Sequence, residues 1–187
     1  MSTPENRWRY RGTCYKFGDD LEHDGQMIAF DYVIKGIVAP EALIPHLFEI
    51  TRPDFHRRAK PGDIIVAGKH FGKGKAHRQA YIAMKAMGLA VACESLPYNT
   101  YLLLVGLGLP FMTRCAGIAE LVEDGDDIEI DFHSGRFFNH TRSVENQFNP
   151  LPERALEIIG LGGTKGMLRD WWAKEQAASE SRATPTA

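Results

Sequence analysis

The chain has little cysteine, no long apolar run and almost no net charge, and each shortage closes off a class of protein. Its three cysteines among 187 residues, Cys14, Cys93 and Cys115, are odd in number, widely spaced and without a C-x-x-C pair. That excludes a disulfide framework and a self-contained zinc or iron–sulfur site, and each thiol reads as a small buried apolar side chain. The longest apolar stretch, "YLLLVGLGLPFM", is too short to span a bilayer and is interrupted by glycine and proline. A formal net charge of −2 supplies no global field to draw the protein to nucleic acid or to a membrane surface. Any positive site is therefore local. The N-terminal "MSTPENRWRYRG" lacks the apolar core of a signal peptide, so a cytoplasmic location is expected.

What is present suits one α/β domain of ordinary composition. Residues 1–12 are polar and expected to form a flexible arm, residues 13–174 the folded domain, and the Ser/Thr/Ala/Pro-rich residues 175–187 a disordered tail. "IIVAG" at 64–68 is a β-branched run suited to a buried strand. From Ala76 to Met87, Ala80, Ala83, Met84 and Met87 recur at helical spacing, Gly88 stands where a C-terminal cap belongs, and "LAVAC" is the next buried strand. Strand, turn, helix and strand make a parallel βαβ crossover. A further helix is expected over "PEALIPHLFEI", with an apolar repeat through Leu43, Leu47 and Ile50. "DDIEIDF" alternates, Ser134-Gly135 supplies a turn, and "RFFNHTRSV" returns as an antiparallel partner. Two helices, "PERALEIIG" and "KGMLRDWWAKEQ", follow.

Positive charge gathers in the turn of the crossover, where "KHFGKGKAHRQA" places Lys73, Lys75, His77 and Arg78 before a helix. A helix start after a strand presents unpaired N–H groups and the positive end of the helix dipole. Four cations are disfavoured there, and a bound carboxylate or phosphate would remove the conflict. Neither common phosphate loop fits. Ala76 stands where a P-loop has its hydroxyl, and Gln79 where the dinucleotide fingerprint has its third glycine. The acidic stretch Asp19-Asp20-Leu21-Glu22-His23-Asp24, closed by Gly25, reads as a solvated loop.

Together "GDDLEHD", "GDIIVAGKHFGKGKAHRQA", "ESLPYNTYLLLVGLGLP", "GDDIEIDF" and "IIGLGGTKGMLR", in this order, resemble the small subunit of 3-isopropylmalate dehydratase, equivalent to the swivelling domain of aconitase. The resemblance runs from about Gly18 to Lys174. It implies an α/β fold, an aconitase-like swivelling β/β/α domain with a mixed sheet and the strand–turn–helix anion site. It also implies no cofactor in this chain, a separate large subunit carrying a [4Fe–4S] cluster and a small hydroxy-carboxylate substrate; charge and hydropathy already set aside nucleic acid and membrane as partners. The family moves water across a 2-hydroxy di- or tricarboxylate. The cluster acts as Lewis acid on the hydroxyl, a serine of the small part removes the neighbouring C–H proton, and an arginine two residues later holds carboxylate.

The family's Ser-Ser-Arg falls on Lys75, Ala76 and His77, its Asn and Cys on His70 and Lys73, and its Glu on Arg78, while Phe71, Gly72, Gly74 and Ala80 are kept. The resemblance thus makes Lys75, if desolvated, the expected catalytic base. His70, Lys73, Gly74, Ala76, His77 and Arg78 are the expected substrate-binding positions, and Asp20, His23 and Asp24 the groups that orient the cations. No metal ligand is expected. The family's substrate-selecting loop falls near residues 33–43. Because the catalytic side chains are replaced, the alternative is a non-catalytic swivel-domain protein, structural, regulatory or anion-binding.

Overall fold

The computed structural model describes residues 6–183. Seven strands form one mixed sheet in the order β4-β3-β2-β1-β5-β6-β7: β1 Arg9–Phe17, β2 Ile64–Ala67, β3 Ala90–Cys93, β4 Phe111–Met112, β5 Asp127–Asp131, β6 Arg136–Asn139 and β7 Val144–Gln147. The α-helices are α1 Phe30–Ile34, α2 Pro40–Leu43, α3 Phe55–Arg58, α4 Gln79–Ala86, α5 Tyr98–Leu107, α6 Glu153–Gly160 and α7 Thr164–Ala183.

The long strand β1 joins two kinds of sheet. Its last residues, Cys14 to Phe17, pair in parallel with Ile64 to Ala67, whereas Arg9 to Thr13 pair antiparallel with Asp131 to Asp127. On the parallel side β2 and β3 are buried along their whole length, as strands covered on both faces require. On the other side β5 alternates between buried and half-buried residues, the pattern of a sheet with one wet face. Gly12 lies at the junction because a Cβ there would stand 2.4 Å from Asp63 Oδ1. That buried carboxylate accepts the Thr13 and Lys60 N–H groups, both at 2.8 Å, and so ties the turn before β2 to β1.

The crossover β2–α4–β3 is parallel, as its pattern predicts, and α4 buries Ala80, Tyr81, Ala83 and Met84. Three expectations are corrected. Strand β1 begins at Arg9, inside the span read as an arm, because Tyr10 to Thr13 find a ladder on β5. Helix α7 continues through Ala183, inside the span read as a disordered tail, carried by good helix formers such as Ala, Lys, Glu and Gln. The rest of both expected segments lies outside the described residues. The helix expected after Ala39 is four residues long and passes at Ile44–His46 into a 3₁₀ turn, since Pro45 cannot supply an internal N–H; Ile50 is exposed. Among the described residues no helix is long and apolar enough to cross a membrane.

Candidate functional site

Two loops meet at the C-terminal ends of β1 and β2, the edge where open parallel sheets place their ligands. The loop after β2 is anchored by Phe71, which is wholly buried, a contribution of about 2 to 3 kcal/mol for a phenylalanine. The acidic loop after β1 lies along it and is held by main-chain bonds. Asp20 N–H donates to Lys69 O at 2.8 Å, Gly72 and Lys73 N–H both to Leu21 O at 2.9 Å, and His23 N–H to Lys73 O at 3.2 Å. Asp19 adds a carboxylate oxygen 2.7 Å from the Lys69 N–H. The acidic stretch, expected as a solvated turn, is in fact the wall of the cationic one.

This pairing decides what the cations can do. Asp20 accepts from His70 Nδ1–H at 2.9 Å and lies 3.3 Å from Lys73 Nζ; those two partners hold its carboxyl below the usual carboxylate range. Asp24 accepts from His77 Nδ1–H at 2.9 Å. Among the described residues Lys75 and Arg78 make no ion pair, and both are exposed. Asp20 and His70 both adopt φ 58°, a left-handed backbone rare outside glycine, and it aims the two side chains at each other.

The turn also departs from expectation in its helix. Helix α4 starts at Gln79 and not at Ala76, with Arg78 in the N-cap position and no side-chain cap. The main chain of Gly72 and Lys73 is already engaged with Leu21, and Gly74 at φ 98° cannot enter a helix. The cations therefore precede the helix. Of the four residues whose charge conflict was foreseen at its start, Lys73 and His77 face carboxylates of the chain itself, while Lys75 and Arg78 do not. Gly74 is exposed and Ala76 half-buried, so both offer backbone and little side chain.

Beneath the turn lies a buried polar cluster. Thr100, the one aliphatic hydroxyl on helix α5, donates to Gly72 O at 3.0 Å. Its proton being spent, it can only accept, and His23 Nε2–H donates to it at 3.2 Å. Burial pushes His23 down to about 4, so the ring is neutral, and it stands edge-on to Tyr81 at 5.2 Å. His23 Nδ1 and the Tyr81 hydroxyl are buried without partners. Gly72, at φ 75°, roofs this cluster: a Cβ would sit 2.3 Å from the Tyr81 hydroxyl. His23, expected to orient the cations, thus acts on the main chain of the turn while Asp20 and Asp24 take the side chains.

Three contributors were not foreseen. Thr100 could have been found as the one aliphatic hydroxyl in a largely apolar helical run. Ser95, whose Oγ accepts the His70 N–H at 2.9 Å, lies in the "ESLPYNTY" stretch that carries the resemblance, though no role is read from it there, and Phe30, whose ring lies 5.6 Å from that of His77, carries no signal in the sequence.

Among the described residues no group of three or more His, Cys, Asp or Glu is placed to hold a metal ion. The three cysteines are buried and free, and burial pushes Cys14 and Cys115 up to about 12 and raises Cys93 as well. Neutral thiols inside a core do not fit as ligands of an iron–sulfur cluster.

Comparison with known proteins finds relatives among small subunits of 3-isopropylmalate dehydratase and its kin. A 3-isopropylmalate dehydratase small subunit of Archaeoglobus fulgidus is 37% identical over 153 residues, 81% of this chain and 92% of that protein. The isopropylmalate/citramalate isomerase small subunit of Methanocaldococcus jannaschii is 34% identical over 167 residues, 89% and 97% of the two chains. A crystal structure of 3-isopropylmalate dehydratase (LeuD) from the same organism superimposes with a TM-score of 0.81 at 27% identity, over 91% of this chain and 99% of that one. No family model matches. With sequence likeness along most of its length and the same arrangement of elements, the chain belongs to the family of 3-isopropylmalate dehydratase small subunits.

Proposed function

We propose that this chain is the small half of a hydro-lyase that interconverts a small 2-hydroxy di- or tricarboxylate and its alkene, acting with a large subunit that carries a [4Fe–4S] cluster. One observation carries the reading for this chain. At the ligand-bearing edge of the parallel strands, Lys75 and Arg78 stand exposed without a carboxylate partner, beside His70, Lys73 and His77, each of which has one. Such a pair suits a substrate carboxylate, Arg78 by its planar fork and Lys75 as a point charge.

In this reading His70 and Lys73, bridged by Asp20, set the shape of the turn, and Gly74 and Ala76 leave room for the substrate. The cluster, when bound in the large subunit, supplies the Lewis acid for the departing hydroxyl. The base role expected for Lys75 requires that its ammonium lose water, and this chain leaves Lys75 exposed. Carboxylate binding is the part it can play as it stands. Three free thiols suit the reducing cytoplasm, the compartment we assign.

The test is anaerobic co-production with the large subunit, followed by an absorbance assay for alkene formed from 3-isopropylmalate, citramalate and related hydroxy acids. Turnover that needs both chains is expected. Copurification without turnover on any acid would leave only the non-catalytic partner.

A further inference from the structure

The proposed reaction needs a group that takes a proton from carbon, and the position where the family has serine offers an exposed lysine. Two residues on, the structure holds a different arrangement. His77 donates Nδ1–H to Asp24 Oδ1 at 2.9 Å. An ionised carboxylate only accepts, so the neutral ring carries its proton on Nδ1 and its lone pair on Nε2. The ring is fixed on a second side by Phe30, 5.6 Å away and inclined by 39°. With 15% of its side chain exposed, His77 is neither sealed in the core nor loose in solvent. Nε2 has no partner among the described residues and is not one of the buried orphan atoms.

The neighbouring imidazole is the control. His23 stands on the same acidic loop as Asp24, but its Nε2–H is committed to Thr100 and its Nδ1 is sealed from solvent. His70 also has an orienting carboxylate in Asp20, but its side chain is 60% exposed and it shares that carboxylate with Lys73, whereas His77, 15% exposed, is the ring that combines a carboxylate of its own with a partly sheltered, reachable lone pair.

We propose that His77, oriented by Asp24, is the base that moves the C–H proton in this chain, with Lys75 and Arg78 as the carboxylate clamp on either side of it in sequence. The inference rests on the hydro-lyase reading and deepens it. In the dehydration direction His77 Nε2 takes the proton from the carbon next to the carbinol, and the C–H electron pair becomes the second bond of the alkene. The C–O bond breaks, hydroxide leaves with its electron pair, and proton and hydroxide together make the water released. Hydration runs the same steps backwards. Aligned imidazole is the side chain most used for such transfer near neutral pH.

Two experiments test the assignment separately from the reaction itself. In the free chain, nitrogen-detected NMR of the histidine rings should show His77 protonated on Nδ1, with a downfield proton signal that is lost in Asp24→Asn. A ring protonated on Nε2 instead would overturn the proposal whatever the partner does. In the reconstituted complex, His77→Gln is expected to lower kcat for 3-isopropylmalate or citramalate about 100-fold or more and to abolish deuterium exchange into the substrate C–H bond, with KM nearly unchanged. Asp24→Asn should follow with a smaller loss of kcat, and Lys75→Met should raise KM instead. Exchange that survives His77→Gln and vanishes in Lys75→Met would overturn the proposal and give the proton to Lys75. A wild-type complex without turnover or exchange would overturn the hydro-lyase reading and the assignment with it, and the NMR result then tells whether the dyad itself exists.

Discussion

The two flanks of β1 hold similar charges and use them differently. On the antiparallel flank the cations pair across strands and turns: Arg9 donates to Glu129 at 2.6 Å, Arg142 to Asp126 at 2.8 Å, and Arg136 lies 3.6 Å from Glu145. On the parallel flank the acids come from one loop and the cations from another, and the count does not close. Asp20 and Asp24 engage His70, Lys73 and His77, which leaves Lys75 and Arg78, and on the acidic loop Glu22, without an ion pair among the described residues. A ladder of neighbouring strands matches charge to charge along a surface. Two loops at a sheet edge can leave charges facing outward without partners, and the unpaired cations among them are what a substrate anion can use.

Breaking the roof of the parallel flank should have the largest effect. Gly72→Ala puts a Cβ into the space of the Tyr81 hydroxyl at a positive φ, and about 3 to 4 kcal/mol of stability should be lost, measured by urea unfolding. Conserved stability would mean that the turn can move away from Tyr81, and the cluster beneath it would not be what fixes the site.

Next is the pH dependence of that same cluster. His23 has its folded pKa depressed from 6.5 to about 4. The unfolded chain therefore binds a proton between those values and the native one does not. Stability from this group is complete above about pH 6.5 and is lost as pH falls toward 4, by roughly 3 kcal/mol. Unfolding curves across that window should show the decline in the wild type and a much flatter response in His23→Phe. A wild-type curve flat between pH 6.5 and 4 would mean that the ring charges in place.

The unpaired cations give a smaller effect. Arg78→Met should weaken binding of a dicarboxylate such as malate by about tenfold in calorimetry, near 1.4 kcal/mol, and reduce its salt dependence. An equal loss in Arg9→Met, on the other flank, would show that general charge and not the loop pair is being read. The smallest change is expected for Arg136→Ala, whose partner Glu145 is as exposed as itself: below about 1 kcal/mol, within the usual range for surface pairs.

The strands β2 and β3, the crossover helix and the cationic turn are legible in the chain because each is a local pattern. β-branched runs, helical spacing of alanine and methionine, and glycines at turns all act over a few residues. The extent of β1 was not legible, since Arg9 to Thr13 are polar and partly exposed, and only the ladder offered by β5 makes them a strand. The site was legible in its residues and not in its pairings. Asp20, His23 and Asp24 were suspected, yet nothing in their order tells that Asp20 reaches His70 and Lys73, that Asp24 reaches His77, or that His23 turns inward to Thr100.

The sequence by itself determined that this is an α/β chain with a glycine-bent cationic turn on a parallel crossover, because backbone preference and hydrophobic period are local quantities. Tertiary structure alone decided which cations are spent inside the protein and which are left for a ligand. Coulomb and hydrogen-bond energies depend on distances between atoms, and about fifty residues of chain separate Asp20 from His70 and Asp24 from His77 until the sheet brings β1 and β2 side by side.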